Sequence, residues 1–87
     1  MTTKPKTLAE VPIGHAVKVL RVQGEGRIAQ RLMEMGVVPG VSMQVIKAAP
    51  FGDPIQLRLL GYNLAVRRAE ADSVEVEEIN ERAGSLT

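Results

Sequence analysis

The chain has 87 residues, 45% of them hydrophobic and 24% charged, and its formal net charge is +1 at pH 7. This composition is typical of a single small folded domain and argues against a disordered chain. The absence of cysteine excludes disulfides and thiolate metal sites. The near-neutral charge, with only one Phe and one Tyr, argues against a nucleic-acid partner, which favours a basic surface and aromatic side chains for base stacking.

Neither a secretory signal nor a membrane-spanning segment is predicted. The start, "MTTKPKTLAEVP", has no apolar signal region. The apolar stretches are far shorter than the roughly 20 residues that cross a bilayer. We therefore expect a cytoplasmic protein that does not insert directly into a membrane.

The first half of the chain predicts one strand with an irregularity. In "HAVKVLRV", 15–22, Val17 and Val19 share one face, whereas Leu20 and Val22 fall on the other. A strand alternates with a period of two, so this change of phase predicts a bulge or a bend near Leu20.

One segment, "EGRIAQRLMEMG" at 25–36, has helical periodicity. Ile28, Leu32 and Met35 recur at i, i+4 and i+7, which predicts an apolar stripe on one helix face. Gly36 follows at the position where a left-handed residue ends many helices. The sequence therefore predicts a helix of about three turns that packs through this stripe.

The second half of the chain alternates with the period of a β-strand. Strands are predicted over 41–49, 55–60, 64–68 and 73–79, with a turn at "GYN", 61–63. Arg67 and Arg68 would lie on opposite faces of the strand at 64–68, and "AEAD" would form a short helical turn after it.

These elements predict a mainly β protein. About five short strands cannot form a sandwich, whereas a partly open small barrel buries all their apolar faces. One α-helix between the first and second strands would plug an end of the barrel. We expect a flexible N-terminus at 1–6, a domain at 7–79 and a C-terminal tail at 80–87.

The sequence offers no set of catalytic or metal-binding residues. His15 is the only histidine and no serine lies in a "GxSxG" elbow, so we predict that the protein is not an enzyme. Glu75 and Glu77 share a strand face and could hold a hard cation weakly, but a solvated sheet edge explains them better. We therefore predict no metal site and no cofactor.

Several arginines are candidates for binding an anion or a partner. "GEGR", 24–27, opens the helix, so backbone N–H groups there could bind a phosphate beside Arg27 and Arg31. The segment lacks the Lys-Ser/Thr of a P-loop. One of Arg67 and Arg68, together with Arg58, could form a second small patch. An ordinary surface role stays open for each of them.

The most rigid turn is "APFGDP", 49–54. Its two prolines restrict the backbone, Gly52 allows a positive φ, and Asp53 can accept hydrogen bonds from nearby backbone N–H groups. One interpretation is a hairpin turn without a further role. The other is a docking loop with Phe51 as its apolar tip, since a rigid loop loses little entropy when a partner covers it.

Three segments together, "RLMEMGVVPG", "APFGDPIQLRL" and "GYNLAVRRAEADSVEV", resemble the FeoA family, small cytosolic proteins of bacterial ferrous iron uptake. The positions that match the family pattern are Arg31, Leu32, Gly36, Pro39, Gly40, Pro50, Gly52, Asp53, Pro54, Gly61, Leu64, Val66, Arg67, Glu70 and Ala71. Phe51 and Val66 stand where leucine is common. The resemblance implies an SH3-like barrel. It also implies an accessory role that binds and modulates the cytosolic part of FeoB, a membrane permease with a GTP-binding domain.

This resemblance implies a partner-binding surface. Because the chain offers no set of iron ligands, we predict that it does not bind iron strongly itself. The candidate partner-binding residues are Arg27, Arg31, Phe51, Gly52, Asp53 and Arg67. The predicted structural turns are at Gly36, Pro39, Gly40, Pro50, Pro54 and Gly61.

Two other functions stay open at the level of sequence. One is a regulatory domain akin to the C-terminal domain of iron-dependent repressors, and the other is a small nucleic-acid-binding barrel. The chain has no room for the winged-helix DNA reader of those repressors, which favours a free-standing FeoA protein. Oligomeric state and any effect on GTP hydrolysis also stay open.

Overall fold

A computed structural model describes residues 6–24 and 26–79, which form a six-stranded antiparallel sheet. The strands are β1 (Lys6–Thr7), β2 (Ala16–Val22), β3 (Ser42–Ala48), β4 (Ile55–Leu59), β5 (Tyr62–Val66) and β6 (Val74–Ile79). The helices are a 3-10 turn (Leu8–Glu10), α1 (Arg27–Glu34) and α2 (Arg68–Ala71). The strand order is β1-β6-β2-β3-β4-β5, and β1 and β5 are not paired to each other, so the barrel is open.

The mainly β, partly open fold expected from the sequence is confirmed, with two differences in detail. The structure has six strands because the two-residue β1 adds to the edge of β6. The helix α1 therefore lies between the second and third strands. Lys6, assigned from sequence to the N-terminal segment, lies in β1. The predicted segments 1–5 and 80–87, and Glu25, lie outside the described residues.

The core is built from the alternating inward residues of the strands, closed by the helices and the loop after α1. Its fully or nearly fully buried members are Leu8, Val11, Val17, Val19, Leu32, Val37, Met43, Val45, Ile55, Leu57, Leu59, Val66, Ala71, Val74 and Val76. Burial of each large apolar side chain contributes about 1.5–3 kcal/mol, so this cluster is the main source of stability in a chain without disulfides.

The bulge predicted near Leu20 is confirmed. The register between β2 and β6 shifts between Val19 and Arg21, which leaves Leu20 as the extra residue, partly exposed. On its other side, Val19 bonds to the segment that precedes β3. Its N–H donates to Val41 O at 2.9 Å and its carbonyl accepts from Gly40 at 2.8 Å.

The C-terminal end of α1 is a Schellman motif. Gly36 has φ = 101°, and its N–H donates to Met33 O at 3.1 Å while the N–H of Val37 donates to Leu32 O at 3.0 Å. The predicted burial of Ile28 was wrong, since its side chain is 45% exposed. The buried face is centred on Ala29 and Leu32, and Ile28 is offset from Ala29 by about 100° around the helix axis.

Two local predictions in the second half need correction. The turn between β4 and β5 is Leu60-Gly61, with φ of 52° and 85°, so Tyr62 and Asn63 belong to the strand and not to the turn. Two successive positive φ values are what a two-residue hairpin requires. Arg67 and Arg68 do not lie on a strand, because β5 ends at Val66 and α2 begins at Arg68.

Candidate partner-binding site

The loop 49–54 joins β3 to β4 and closes on itself. The N–H of Ala49 donates to Pro54 O at 3.0 Å, and the N–H of Gly52 donates to Ala49 O at 2.7 Å. Gly52 has φ = 88°, and the Asp53-Pro54 peptide is cis. Phe51 stands at the tip with 99% of its surface exposed. The loop therefore presents a large apolar side chain on a hydrogen-bonded base.

Arg68, the first residue of α2, holds this loop in place through hydrogen bonds. Its Nε donates to Gly52 O and its Nη1 donates to Ala9 O, both at 2.7 Å. The backbone N–H of Arg68 also donates to the loop, to Asp53 Oδ1 at 3.0 Å. Arg68 thus links the loop to the first turn of α2 and to the 3-10 turn. None of these hydrogen bonds involves Phe51, whose side chain stays exposed.

The N-terminal end of α2 receives two carboxylates. Besides Asp53, Glu70 accepts through Oε1 from the N–H of Arg67 at 3.1 Å, which is the glutamate half of a capping box. Glu70 is only 8% exposed. Its other oxygen, Oε2, accepts a hydrogen bond from Nη2 of Arg31. The negative charges suit the helix N-terminus, where unpaired N–H groups give a positive potential.

These contacts bring most of the predicted partner-binding residues into one connected region. Gly52 and Asp53 bond to Arg68, the next residue after Arg67, and Arg31 joins α1 to α2 through Glu70. Arg27 is the exception. It lines a shallow concavity on α1 with Gln30, Arg31 and Glu34, and it forms no ion pair within the described part of the chain.

Sequence reasoning missed Arg68 and Glu70 as organisers of the region. Glu70 had a local signal, since a glutamate three residues after a helix N-cap is typical of a capping box. Arg68 had none, because its partners Ala9 and Gly52 are distant in sequence.

His15 and two of the three glutamates of β6, Glu75 and Glu78, take part in ion pairs. Glu78 accepts from Lys6 Nζ at 2.7 Å and lies 2.8 Å from His15 Nδ1. The hydrogen bond from Lys6, followed by that from His15, lowers the pKa of Glu78 below its ordinary value. Glu75 pairs with Arg21 at 3.5 Å. Over residues 6–24 and 26–79, no three metal-ligating side chains come together.

None of the helices in the described part of the chain has the length and apolar character needed to cross a membrane. The fold defines the class of protein: a small, mainly β, SH3-like domain with a rigid exposed loop. The FeoA domain family matches residues 6–78, so the chain belongs to the FeoA family. This family takes part in ferrous iron transport.

A curated relative joins two proteins in one chain. It is the Fe(2+) transport protein A/Fe(2+) transporter FeoB fusion protein of Porphyromonas gingivalis, which is 38% identical over 78 residues. The match covers 90% of this chain and only 9% of the relative's length.

Solved structures of FeoA proteins share the fold. A FeoA-like protein from Clostridium acetobutylicum is 41% identical, with a TM-score of 0.83 over 90% of this chain and 91% of that chain. The FeoA of Stenotrophomonas maltophilia, solved with zinc and described as a prokaryotic SH3 domain protein, is 32% identical, with a TM-score of 0.73 over 82% and 88%. A manganese-dependent transcriptional repressor, 14% identical with a TM-score of 0.80, shows likeness of fold alone.

Proposed function

We propose that this protein is a cytoplasmic accessory of ferrous iron uptake that binds the cytosolic part of a FeoB-type permease and modulates it. The observation that carries the proposal is the Porphyromonas gingivalis relative, in which FeoA and FeoB form one polypeptide. Covalent fusion holds two parts at a high effective concentration, which is useful when they act on each other.

The loop 49–54 supports a docking role. Phe51 is almost fully exposed, although an apolar ring of this size is normally covered. The hydrogen bonds from Arg68 and within the loop hold its base before any partner arrives. A partner that covers Phe51 would therefore gain apolar burial with a small cost in loop ordering.

The neighbouring charges support a docking role as well. Arg67 is exposed at the end of β5, beside the segment that holds the loop. Arg27 is also exposed, at the first turn of α1, apart from the region that the loop joins. An apolar tip with an exposed arginine, Arg67, near its base is the kind of composition that protein interfaces favour, with arginine enriched over lysine.

The test is direct binding to the intact permease of the same organism in lipid nanodiscs, measured without nucleotide and with GDP or a GTP analogue. We expect saturable binding to nanodiscs that contain the permease and none to empty ones. A change in the rate of GTP hydrolysis on binding would support modulation. Absence of binding in every nucleotide state would overturn the proposal.

A further inference from the structure

The strand β5 leaves one edge of the sheet open. It is the last strand in the sheet order and pairs only with β4. Its two-residue turn makes Leu59 and Tyr62 a hydrogen-bonded pair, and pairs alternate along the ladder. Asn63 and Ala65 are thus non-hydrogen-bonded positions, whose N–H and C=O groups point away from β4. Within the described residues, no backbone or side-chain group bonds to them.

The strand β5 itself carries none of the charges, prolines or bulges that protect many sheet edges from strand addition. The sequence of β5 is YNLAV, without a charge or a proline, and its register with β4 has no bulge. The other end of the sheet is different. There β1 has only two residues, and one of them is Lys6. A five-residue unprotected edge is a template for another extended chain.

The charges around β5 are basic and unmatched. Arg58 on β4 lies opposite Asn63 of β5. Lys47 on β3 lies in the same cross-strand row as Ala65, with Gln56 of β4 between them. Both basic side chains are therefore on the outer face of the sheet, the same face as the side chains of Asn63 and Ala65. Both are exposed and form no ion pair in the described part of the chain.

Toward the other end of the sheet, the charged side chains of β6 are acidic and lie close to basic ones. The carboxylates of β6 face bases, with Glu75 paired to Arg21, Glu78 paired to Lys6, and Glu77 opposite Lys18 in the ladder. Two of the three glutamates of β6, Glu75 and Glu78, are thus ion-paired within the described residues, whereas Lys47 and Arg58 near β5 are not.

A shallow groove of about 270 Å³ adjoins the edge. Ala65 lines it together with Ala48, Ile55 and the two prolines of the loop, Pro50 and Pro54. The small side chain of Ala65 leaves room for a side chain of an added strand. Strand addition commonly takes affinity from the main chain and specificity from such pockets.

We propose that the free edge of β5 binds an acidic, extended segment of the permease by antiparallel or parallel strand addition, with Asn63 and Ala65 as the backbone contacts. This inference rests on the proposed function, because it names the permease as the source of the segment. The exposed cations on β3 and β4, Lys47 and Arg58, favour an acidic segment over an uncharged one.

The test uses the whole protein and the permease in nanodiscs, with three variants. A65P removes the outward N–H and puts a ring in the path of an added strand, while it keeps the β4–β5 ladder, because that N–H takes no part in the ladder. A65T keeps the N–H and is the matched control. The double charge reversal K47E/R58E tests the acidic character of the segment without altering the backbone. A urea melt of each variant verifies folding.

The inference predicts a loss of affinity of about tenfold or more for A65P and for K47E/R58E, and a change of about twofold or less for A65T. Binding by A65P equal to that of the wild type would overturn it and leave the proposed function intact. Self-association of the wild type that A65P abolishes, with unchanged permease binding, would assign the edge to a second copy instead. Failure of the wild type to bind at all would overturn the proposed function, and this occupant with it.

Discussion

Asp53 and Arg68 hold each other's segments in place. The carboxylate of Asp53 accepts from the backbone N–H of Arg68 at 3.0 Å, and the guanidinium of Arg68 donates to the carbonyl of Gly52 at 2.7 Å. Arg68 is the donor in both bonds, through its backbone and its side chain, and both acceptors lie in the loop 49–54. These bonds therefore fix the position of the loop relative to the start of α2. Phe51, at the tip of the loop, is held in an exposed position as a result.

Replacement of Arg68 by alanine should loosen the loop. It removes charge-assisted hydrogen bonds to the carbonyls of Gly52 and Ala9, so we expect a loss of about 1–3 kcal/mol in the free energy of unfolding, measured by urea denaturation. R58A is the matched control, because Arg58 is exposed on the sheet without a protein partner in the described residues. It should change stability by about 0.5 kcal/mol or less. Equal effects of the two changes would show that the Arg68 bonds add no net stability.

Replacement of Phe51 by alanine should weaken binding to the permease and leave the stability of the fold nearly unchanged. Its side chain is 99% exposed, so the free energy of unfolding should change by about 0.5 kcal/mol or less. Affinity for the permease should fall by about tenfold, since an aromatic anchor at the centre of an interface often contributes more than 1 kcal/mol. Leu60 is also exposed and apolar, and L60A serves as the control for nonspecific loss of apolar surface. Unchanged affinity in F51A would exclude the loop tip from the interface.

Replacement of Arg31 should affect folding more than replacement of Arg27. R31A leaves one oxygen of the nearly buried Glu70 without its partner, and we expect a loss of about 1–3 kcal/mol in the free energy of unfolding. R27A should cost about 0.5 kcal/mol or less. A double-mutant cycle of R31A with E70Q measures the coupling. A coupling energy near zero would contradict a stabilising pair.

Glu78 should contribute a pH-dependent stability. Lys6 and His15 lower its pKa in the folded state, so its contribution is present above the ordinary glutamate value of about 4.3 and is lost as the pH falls through the lowered value. The stability difference between the wild type and E78Q should therefore be largest near neutral pH and shrink below about pH 4. Urea denaturation across this range measures it, and E77Q gives the background effect of removing a β6 carboxylate. A difference that persists unchanged at low pH would contradict the mechanism.

The features that the sequence predicted well depend on local patterns. The change of phase after Val19 indicates the bulge because side chains in a strand must alternate. The helix and its end follow from a 3.6-residue period that stops at Gly36. Ile28 was placed wrongly because the period fixes which residues share a face and not the centre of the buried part.

The connections within the candidate site depend on contacts between distant segments, which a period cannot show. The "LAVRR" pattern continues the alternation of β5 through Arg67 and Arg68, although α2 begins there. The strand ends where Asp53 and Glu70 offer acceptors to the backbone N–H groups of these two arginines. Glu70 alone could have been identified from its spacing, because the capping box is a local motif.

The pairing of β1 with β6 has a consequence for how this fold can be tethered. Lys6 lies opposite Val76, three residues before the end of β6 at Ile79, so the two ends of the described strands are separated by roughly 10 Å along β6. A polypeptide joined on the side of Lys6 and one joined on the side of Ile79 would therefore connect to neighbouring positions of the sheet. Both positions are at the other end of the sheet from β5, so neither connection would involve the backbone N–H and C=O groups of β5. The order in which this unit and a larger protein are joined should therefore matter little to the orientation in which β5 meets its partner.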